Sequence, residues 1–219
     1  MHATVVALAA ALAADPGAAQ PPDGRSTPAA PSAPDEQGAL HEPGEAIAAL
    51  VEARVDAERA HLARLGVWAG VNVVAGAALL ALARPETSPL PTPATLLEGF
   101  AVQSLAWGGI NLAIVGLGLA STPAPVTTRE AALAAEDDLG KVLWVNVGLD
   151  AGYMMAGGAL WGASLAGAKP AEQWRSHGVG IVTQGLGLAV LDVIAVWDSA
   201  PREEALQALP PSPSLSSSP

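Results

Sequence analysis

Five polar side chains stand inside long apolar runs of the sequence, where ionisable and amide groups are rare. They are two aspartates and three asparagines: Asn72, Asn111, Asn146, Asp150 and Asp192. A charge at the centre of a bilayer costs about 2.5–3.5 kcal/mol on insertion scales, so such carboxyls should face a bundle interior or a water-filled cavity. There they could bind a proton, a cation or a small solute. They could equally form a hydrogen-bonded network that holds helices together, and the sequence leaves both interpretations open.

The spacing of these residues predicts that they form one cluster. If consecutive spans run antiparallel, counting inward from the membrane surface places all of them in the same leaflet. Asn146 and Asp150 are four residues apart, so they share one face of a helix. No Lys, Arg or His lies in this half of the predicted spans. The predicted partners of the carboxyls are therefore the Asn amides, with Tyr153 or Trp side chains nearby.

Four apolar helices would position the cluster. Each run is about as long as a helix needs to be to cross the hydrocarbon core, at a rise of about 1.5 Å per residue. None carries the charged stripe expected of a soluble surface helix. The predicted fold class is all-α, a four-transmembrane-helix bundle. Its spans are residues 65–83, 99–120, 142–168 and 176–197.

Two further helical pieces are predicted outside the spans. Residues 45–64 carry apolar side chains at helical spacing with charges between them, which predicts an amphipathic N-terminal lead-in helix that runs into the first span. The spacing of Thr127 and Glu130 resembles a capping box. It predicts a separate short helix in the connection between the second and third spans.

The two ends of the chain differ in composition from the membrane domain predicted at residues 44–198. Pro-, Ala- and Ser-rich sequence predicts a disordered linker at residues 20–43 and a disordered tail at residues 199–219. Residues 1–19 hold an apolar stretch too short to span, followed by small residues, which predicts a signal peptide. A cleaved signal would leave the mature N-terminus outside, whereas the distribution of Lys and Arg favours cytoplasmic termini. The orientation therefore stays open.

Composition excludes several classes of function. The 219-residue chain has a formal net charge of −11 and no cysteine. An acidic chain without a basic stripe is not expected to bind nucleic acid. Disulfides and thiolate metal sites are excluded, and the scattered histidines predict no metal site, no cofactor and no catalytic set. The predicted partners are the lipid bilayer and a second copy of the chain or another subunit of a membrane complex.

Short motifs in the spans carry a resemblance to a known family. They are Trp68-Ala-Gly-Val-Asn72, Trp107-Gly-Gly-Ile-Asn111 and the set Asn146, Asp150, Gly152 and Tyr153. Over about residues 54–196 the chain resembles an uncharacterised bacterial four-helix integral membrane protein family, known only as a domain of unknown function. The resemblance implies a helical membrane fold, a bacterial location and an N-terminal signal peptide. It implies no substrate or reaction.

Two classes of function follow from these observations. The first is a non-enzymatic helical bundle or complex subunit of the bacterial inner (cell) membrane, favoured by small-residue pairs such as Gly148 and Gly152. The alternative is a small transporter, channel or proton-coupled component that uses Asp150 and Asp192. Side-by-side packing of these two carboxyls around a cavity would favour the alternative. A dry, fully paired network would favour the bundle.

Overall fold

The structure, a computed structural model, describes residues 36–83, 94–121 and 125–212. Within these ranges every regular element is an α-helix, so the all-α prediction is confirmed. The helices are α1 (Glu36–Leu82), α2 (Ala94–Ala120), α3 (Arg129–Leu165) and α4 (Ala171–Ala208). The predicted signal peptide, residues 1–19, lies outside the described residues.

Three helices of the described chain are long and apolar enough to cross a membrane. They are α1 over Gly44–Leu82, α2 over Leu96–Ala120 and α4 over Ala171–Ala208. The prediction of four apolar spans is thus met by three helices, and the third predicted span fails it. The physical reason is the composition of α3, in which Asn146, Asp150 and several glycines lower the mean hydropathy.

The lead-in helix and the first span form one element. α1 is a single helix of 47 residues, as the periodicity of residues 45–64 predicts. It begins at Glu36, inside the segment predicted as a disordered linker. The helix therefore begins earlier in the chain than the composition of residues 20–43 predicts.

α4 passes through Pro201 and continues to Ala208. The prediction of a disordered tail from residue 199 is therefore wrong as far as this helix extends. Proline removes one backbone donor from a helix interior, but burial further along compensates for it. Leu206 is buried against Ile47 of α1 and Ala132 of α3, and these three residues form a small hydrophobic core.

A side chain at the start of α3 donates hydrogen bonds to backbone carbonyls in the last turn of α4. Arg129 donates from Nε to the carbonyl oxygen of Leu206 at 2.9 Å and from Nη2 to that of Gln207 at 3.0 Å. Carbonyls in the last turn of a helix have no partner within the helix. The backbone N–H of Ser212 donates to Glu130 at 3.1 Å, and hydrogen bonds from the Ser212 side chain and backbone lower the pKa of Glu130. The end of α4 and the segment that follows it as far as Ser212 are thereby docked on α3.

α3 begins at a side-chain cap one residue later than predicted. The Oγ1 atom of Thr128 accepts a hydrogen bond from the backbone N–H of Ala131 at 3.3 Å. Thr128, and not Thr127, is therefore the N-cap. The helix then runs unbroken to Leu165, so the predicted short helix and the third predicted span are one element.

The helices pack as two pairs, and α4 makes the main contacts between the pairs. α1 packs along α2 and α3 packs along α4, while α4 also contacts both α1 and α2. A Cβ atom on Gly178 would lie 2.6 Å from the carbonyl oxygen of Gly157, so α3 and α4 touch backbone to backbone. At Gly148 and Gly152 an added Cβ would meet nothing within 4 Å. This predicted pair therefore makes no close helix contact in the described chain. α2 and α3 scarcely touch, which leaves a space between them.

Candidate functional site

A cavity of about 750 Å³ occupies that space and is lined by all four helices. It lies at the end of the bundle formed by the lead-in part of α1, the C-terminal half of α2, the start of α3 and the end of α4. Its volume is within the roughly 300–1,000 Å³ usual for small-molecule sites. Much of the wall is aliphatic. The larger apolar side chains in it include Leu62, Leu65, Ile114, Leu143 and Leu188.

Two carboxyl groups meet at the wall of this cavity. Asp150 of α3 and Asp192 of α4 both line it, and they are 3% and 7% exposed. The two carboxyls stand on neighbouring helices and line the same cavity. Close packing brings them together, because a Cβ on Gly185, two turns before Asp192, would lie 2.9 Å from the Asp150 backbone oxygen. The Oδ2 atom of Asp150 has no hydrogen-bond donor among the described groups.

His61 of α1 reaches the same place. Its Nε2 atom lies 3.3 Å from Oδ1 of Asp192. The prediction that no basic side chain can pair with the aspartates is therefore wrong. That prediction covered only the spans, and the first span was taken to begin at residue 65. α1 extends further toward the N-terminus as one helix and carries His61 on its buried face. Helical spacing could have found this residue, since His61, Leu65 and Asn72 are separated by four and seven residues and lie on one face.

The asparagines divide into two groups. Asn111 and Asn146 line the cavity together with the aspartates. Asn111 is only 2% exposed, yet its Nδ2 atom has no hydrogen-bond partner in the described part of the chain. Buried polar groups are nearly always paired with protein, water or a ligand. Because the amide oxygen and nitrogen are assigned and not observed, Asn111 can present either one to a bound group.

Asn72 belongs to a different network. Its Nδ2 donates to the backbone oxygen of Trp68 at 2.8 Å, and its Oδ1 accepts from Nε2 of Gln184. Asn72 is buried but does not line the cavity. The structure thus brings four of the five predicted residues to the cavity wall and uses Asn72 to join α1 to α4.

Two ion pairs of arginine with glutamate also contribute to the cavity wall. Arg202 makes a two-pronged contact with Glu136, with Nε at 2.8 Å from Oε1 and Nη2 at 3.2 Å from Oε2. Arg54 contacts Glu58 at 2.7 Å within α1. Glu136 is 3% exposed, so its charge depends on this guanidinium. Both arginines thus have a carboxylate partner other than Asp150.

The donor set at the cavity does not resemble a metal centre. Within residues 36–83, 94–121 and 125–212, no three His, Asp or Glu side chains are grouped so that they could hold a metal ion. The groups at hand are the carboxyl oxygens of Asp150 and Asp192, the His61 ring and two amides. They can hold a proton, accept N–H hydrogen bonds and stabilise one positive charge.

Comparison with known proteins identifies a family and no activity. Residues 64–193 match the model of DUF6992, described as a family of unknown function. This range contains all five predicted polar residues, while His61 lies just before it. No curated protein and no solved structure matches the chain. The predicted resemblance to an uncharacterised family is confirmed: the chain belongs to the family of unknown function DUF6992.

Proposed function

We propose that this protein is a multi-pass membrane component that couples the binding of a proton to the binding of a small solute in the cavity. The observation that carries this proposal is the presence of two buried carboxyls, those of Asp150 and Asp192, on the wall of one cavity. No catalytic role is proposed. A bacterial cell membrane is the proposed location, supported by the sequence resemblance and by the three long apolar helices.

The electrostatics of the carboxyl pair favour an exchangeable positive charge. Two unit charges 4 Å apart repel by about 4 kcal/mol at an effective dielectric constant near 20. A proton shared between Asp150 and Asp192 removes that repulsion and supplies the donor that Oδ2 of Asp150 lacks. His61 offsets one carboxylate when it is protonated. The pair therefore holds one further proton or cation, which it can exchange with the cavity.

We propose that α3 crosses the membrane as the partner of α4. Its polar groups Asn146 and Asp150 face the cavity, so they do not have to enter lipid. Its outward face carries large apolar side chains, among them Met155 and Leu165, which are 71% and 74% exposed. A helix whose polar face is covered by protein can cross even when its mean hydropathy is moderate.

The crossing of α3 has a direct test, because the chain contains no cysteine. Single cysteines at Thr127 and at Ala166, which are exposed and lie just before and just after α3, would be labelled in sealed vesicles with an impermeant thiol reagent. We expect the two positions to react from opposite sides of the membrane. Labelling of both from the same side would exclude a crossing by α3 and would remove the membrane setting assumed for Asp150.

The proton itself is tested by infrared spectroscopy of the purified full-length protein at neutral pH. We expect a protonated carboxyl C=O band in the wild type that disappears in both Asp150→Asn and Asp192→Asn. Asp56→Asn is the matched control, since Asp56 is 68% exposed on α1, and it should keep the band. A wild-type spectrum without this band from pH 5 to 8 would refute the proposed function.

A second candidate function, a purely structural bundle or complex subunit, is favoured by one observation. The Asn72 and Gln184 side chains form a buried hydrogen bond between α1 and α4, and neither residue lines the cavity. If the aspartates only extend this network, Asp150→Asn should keep the fold, because an amide preserves hydrogen bonds. It should then change no binding or infrared property other than the loss of its own carboxyl.

A further inference from the structure

We infer that the solute is a small organic ammonium ion with an apolar body, which binds at Asp150 in exchange for the proton. This inference rests on the proposed function and names its solute class. Three features of the cavity support it: the balance of charges, the polar atoms without hydrogen-bond partners, and the apolar side chains of the wall.

Charge balance at the cavity leaves Asp150 without a cation. The arginines that line the cavity are each paired: Arg54 with Glu58, Arg59 with Asp56 and Arg202 with Glu136.

The other lining carboxylates also have basic partners. Asp138 contacts Lys141 at 3.1 Å, Asp198 contacts Arg64 at 2.9 Å and Asp192 contacts His61 at 3.3 Å. Among the acidic residues of the cavity in the described chain, Asp150 alone has no basic partner. The missing charge is therefore a positive one.

The unpaired polar atoms suit a ligand that donates several hydrogen bonds. Asp150 Oδ2 lacks a donor, and Asn111 has an amide whose nitrogen is unpaired and whose orientation can reverse. Asn146 adds a second amide at the wall. An ammonium group carries N–H donors and a positive charge in one compact head. It matches a cavity wall that holds an unpaired carboxylate and two amides better than an anion or a neutral acceptor does.

The rest of the wall excludes a bare inorganic cation as the best fit. A hard metal ion needs six or more oxygen ligands, roughly, around it, and no group of three acidic or His side chains is available in the described residues. Leucines and Ile114 instead line much of the cavity. A volume of about 750 Å³ accommodates an ammonium head together with an aliphatic body, whose burial on this wall adds affinity.

The exchange leaves the charge of the site unchanged. The ammonium ion binds with its N–H groups directed at the carboxyl pair, and the proton shared by Asp150 and Asp192 leaves to the solution. No covalent bond to carbon or nitrogen changes. Binding of one ammonium ion should therefore release up to one proton, and affinity should fall as the pH is lowered, because protons compete for the same oxygens.

The experiment measures binding of hexylammonium chloride to the full-length protein in detergent by titration calorimetry. Hexanol, which has the same chain without the charge, controls for partition into micelles, and sodium chloride controls for ionic strength. We expect binding of hexylammonium only, with proton release detected by repeating the titration in buffers of different ionisation enthalpy. Asp150→Asn should weaken binding by at least about 10-fold, as expected for a charge-assisted hydrogen bond. Glu52→Gln, which alters an exposed carboxyl of α1 outside the cavity lining, should leave it unchanged.

Equal binding of hexanol and hexylammonium, or no binding of hexylammonium, would overturn the inference. The comparison of hexylammonium with hexanol needs only the wild-type chain, so it tests the inference even if Asp150→Asn does not fold. The two proposals also fail separately. A protonated carboxyl band that hexylammonium does not remove would refute the solute class and keep the proton site, whereas absence of the band would refute the proposed function.

Discussion

Replacement of Arg202 by Met should destabilise the protein by about 3–5 kcal/mol, the cost of breaking a buried ion pair from one side. Two guanidinium nitrogens of Arg202 contact the two carboxylate oxygens of Glu136, at 2.8 and 3.2 Å. Glu136 is 3% exposed, so loss of the arginine leaves a desolvated carboxylate without compensation. Met keeps an aliphatic stem of similar length, so little packing is lost.

The assay is the free energy of unfolding in mixed micelles, obtained by titration with a denaturing detergent and followed by circular dichroism. Arg59→Met is the matched control, because Arg59 and Asp56 are 69% and 68% exposed and 3.8 Å apart. Exposed pairs of this kind contribute about 0–1 kcal/mol. The double replacement Arg202→Met with Glu136→Leu should recover much of the loss, since it removes both buried charges. A loss for Arg202→Met no larger than that for Arg59→Met would refute the argument.

Three further predictions concern the packing of the bundle. Gly178→Ala should destabilise by about 1–3 kcal/mol through overpacking, because its Cβ would lie 2.6 Å from a backbone oxygen of α3; Gly158→Ala, with open space at that position, should be neutral or stabilising in the same unfolding assay. Arg129→Ala removes two hydrogen bonds to the end of α4, so amides in the last turns of α4 should lose protection in hydrogen exchange while those in its centre keep theirs. Asn72→Ala should cost about 1–3 kcal/mol, because it leaves buried Gln184 without its partner; a change below 0.5 kcal/mol, roughly, would contradict that pairing.

Local composition was sufficient for the apolar helices and for the inward placement of polar groups. Long apolar runs predict α1, α2 and α4, because a helix satisfies its own backbone and needs only an apolar surface. The cost of exposing a carboxylate to lipid acts on each residue independently of its neighbours in space. That cost is why Asp150 and Asp192 could be assigned to the interior before any packing was known.

Local composition was insufficient where tertiary contacts override it. Pro201 and the Ser- and Pro-rich sequence after it favour a chain end, yet Leu206 packs against Ile47 and Ala132 and extends α4. In α3 the opposite holds, since Asn146 and Asp150 lower its hydropathy while α4 and the cavity take up its polar face. A hydropathy average counts residues and cannot tell which face of the helix they occupy.

The contact of His61 with Asp192, and the presence of Asp150 in the same cavity wall, were decided only by the tertiary structure. Periodicity shows which residues share a face of one helix, but it carries no information on how far one helix slides or rotates against the next. Here backbone contact at Gly157 and Gly178 fixes the register of α3 against α4. The backbones of α2 and α3 have little contact with each other, which leaves room for the cavity. The sequence therefore determined that buried polar groups must find partners, and the packing of the helices decided which partners they found.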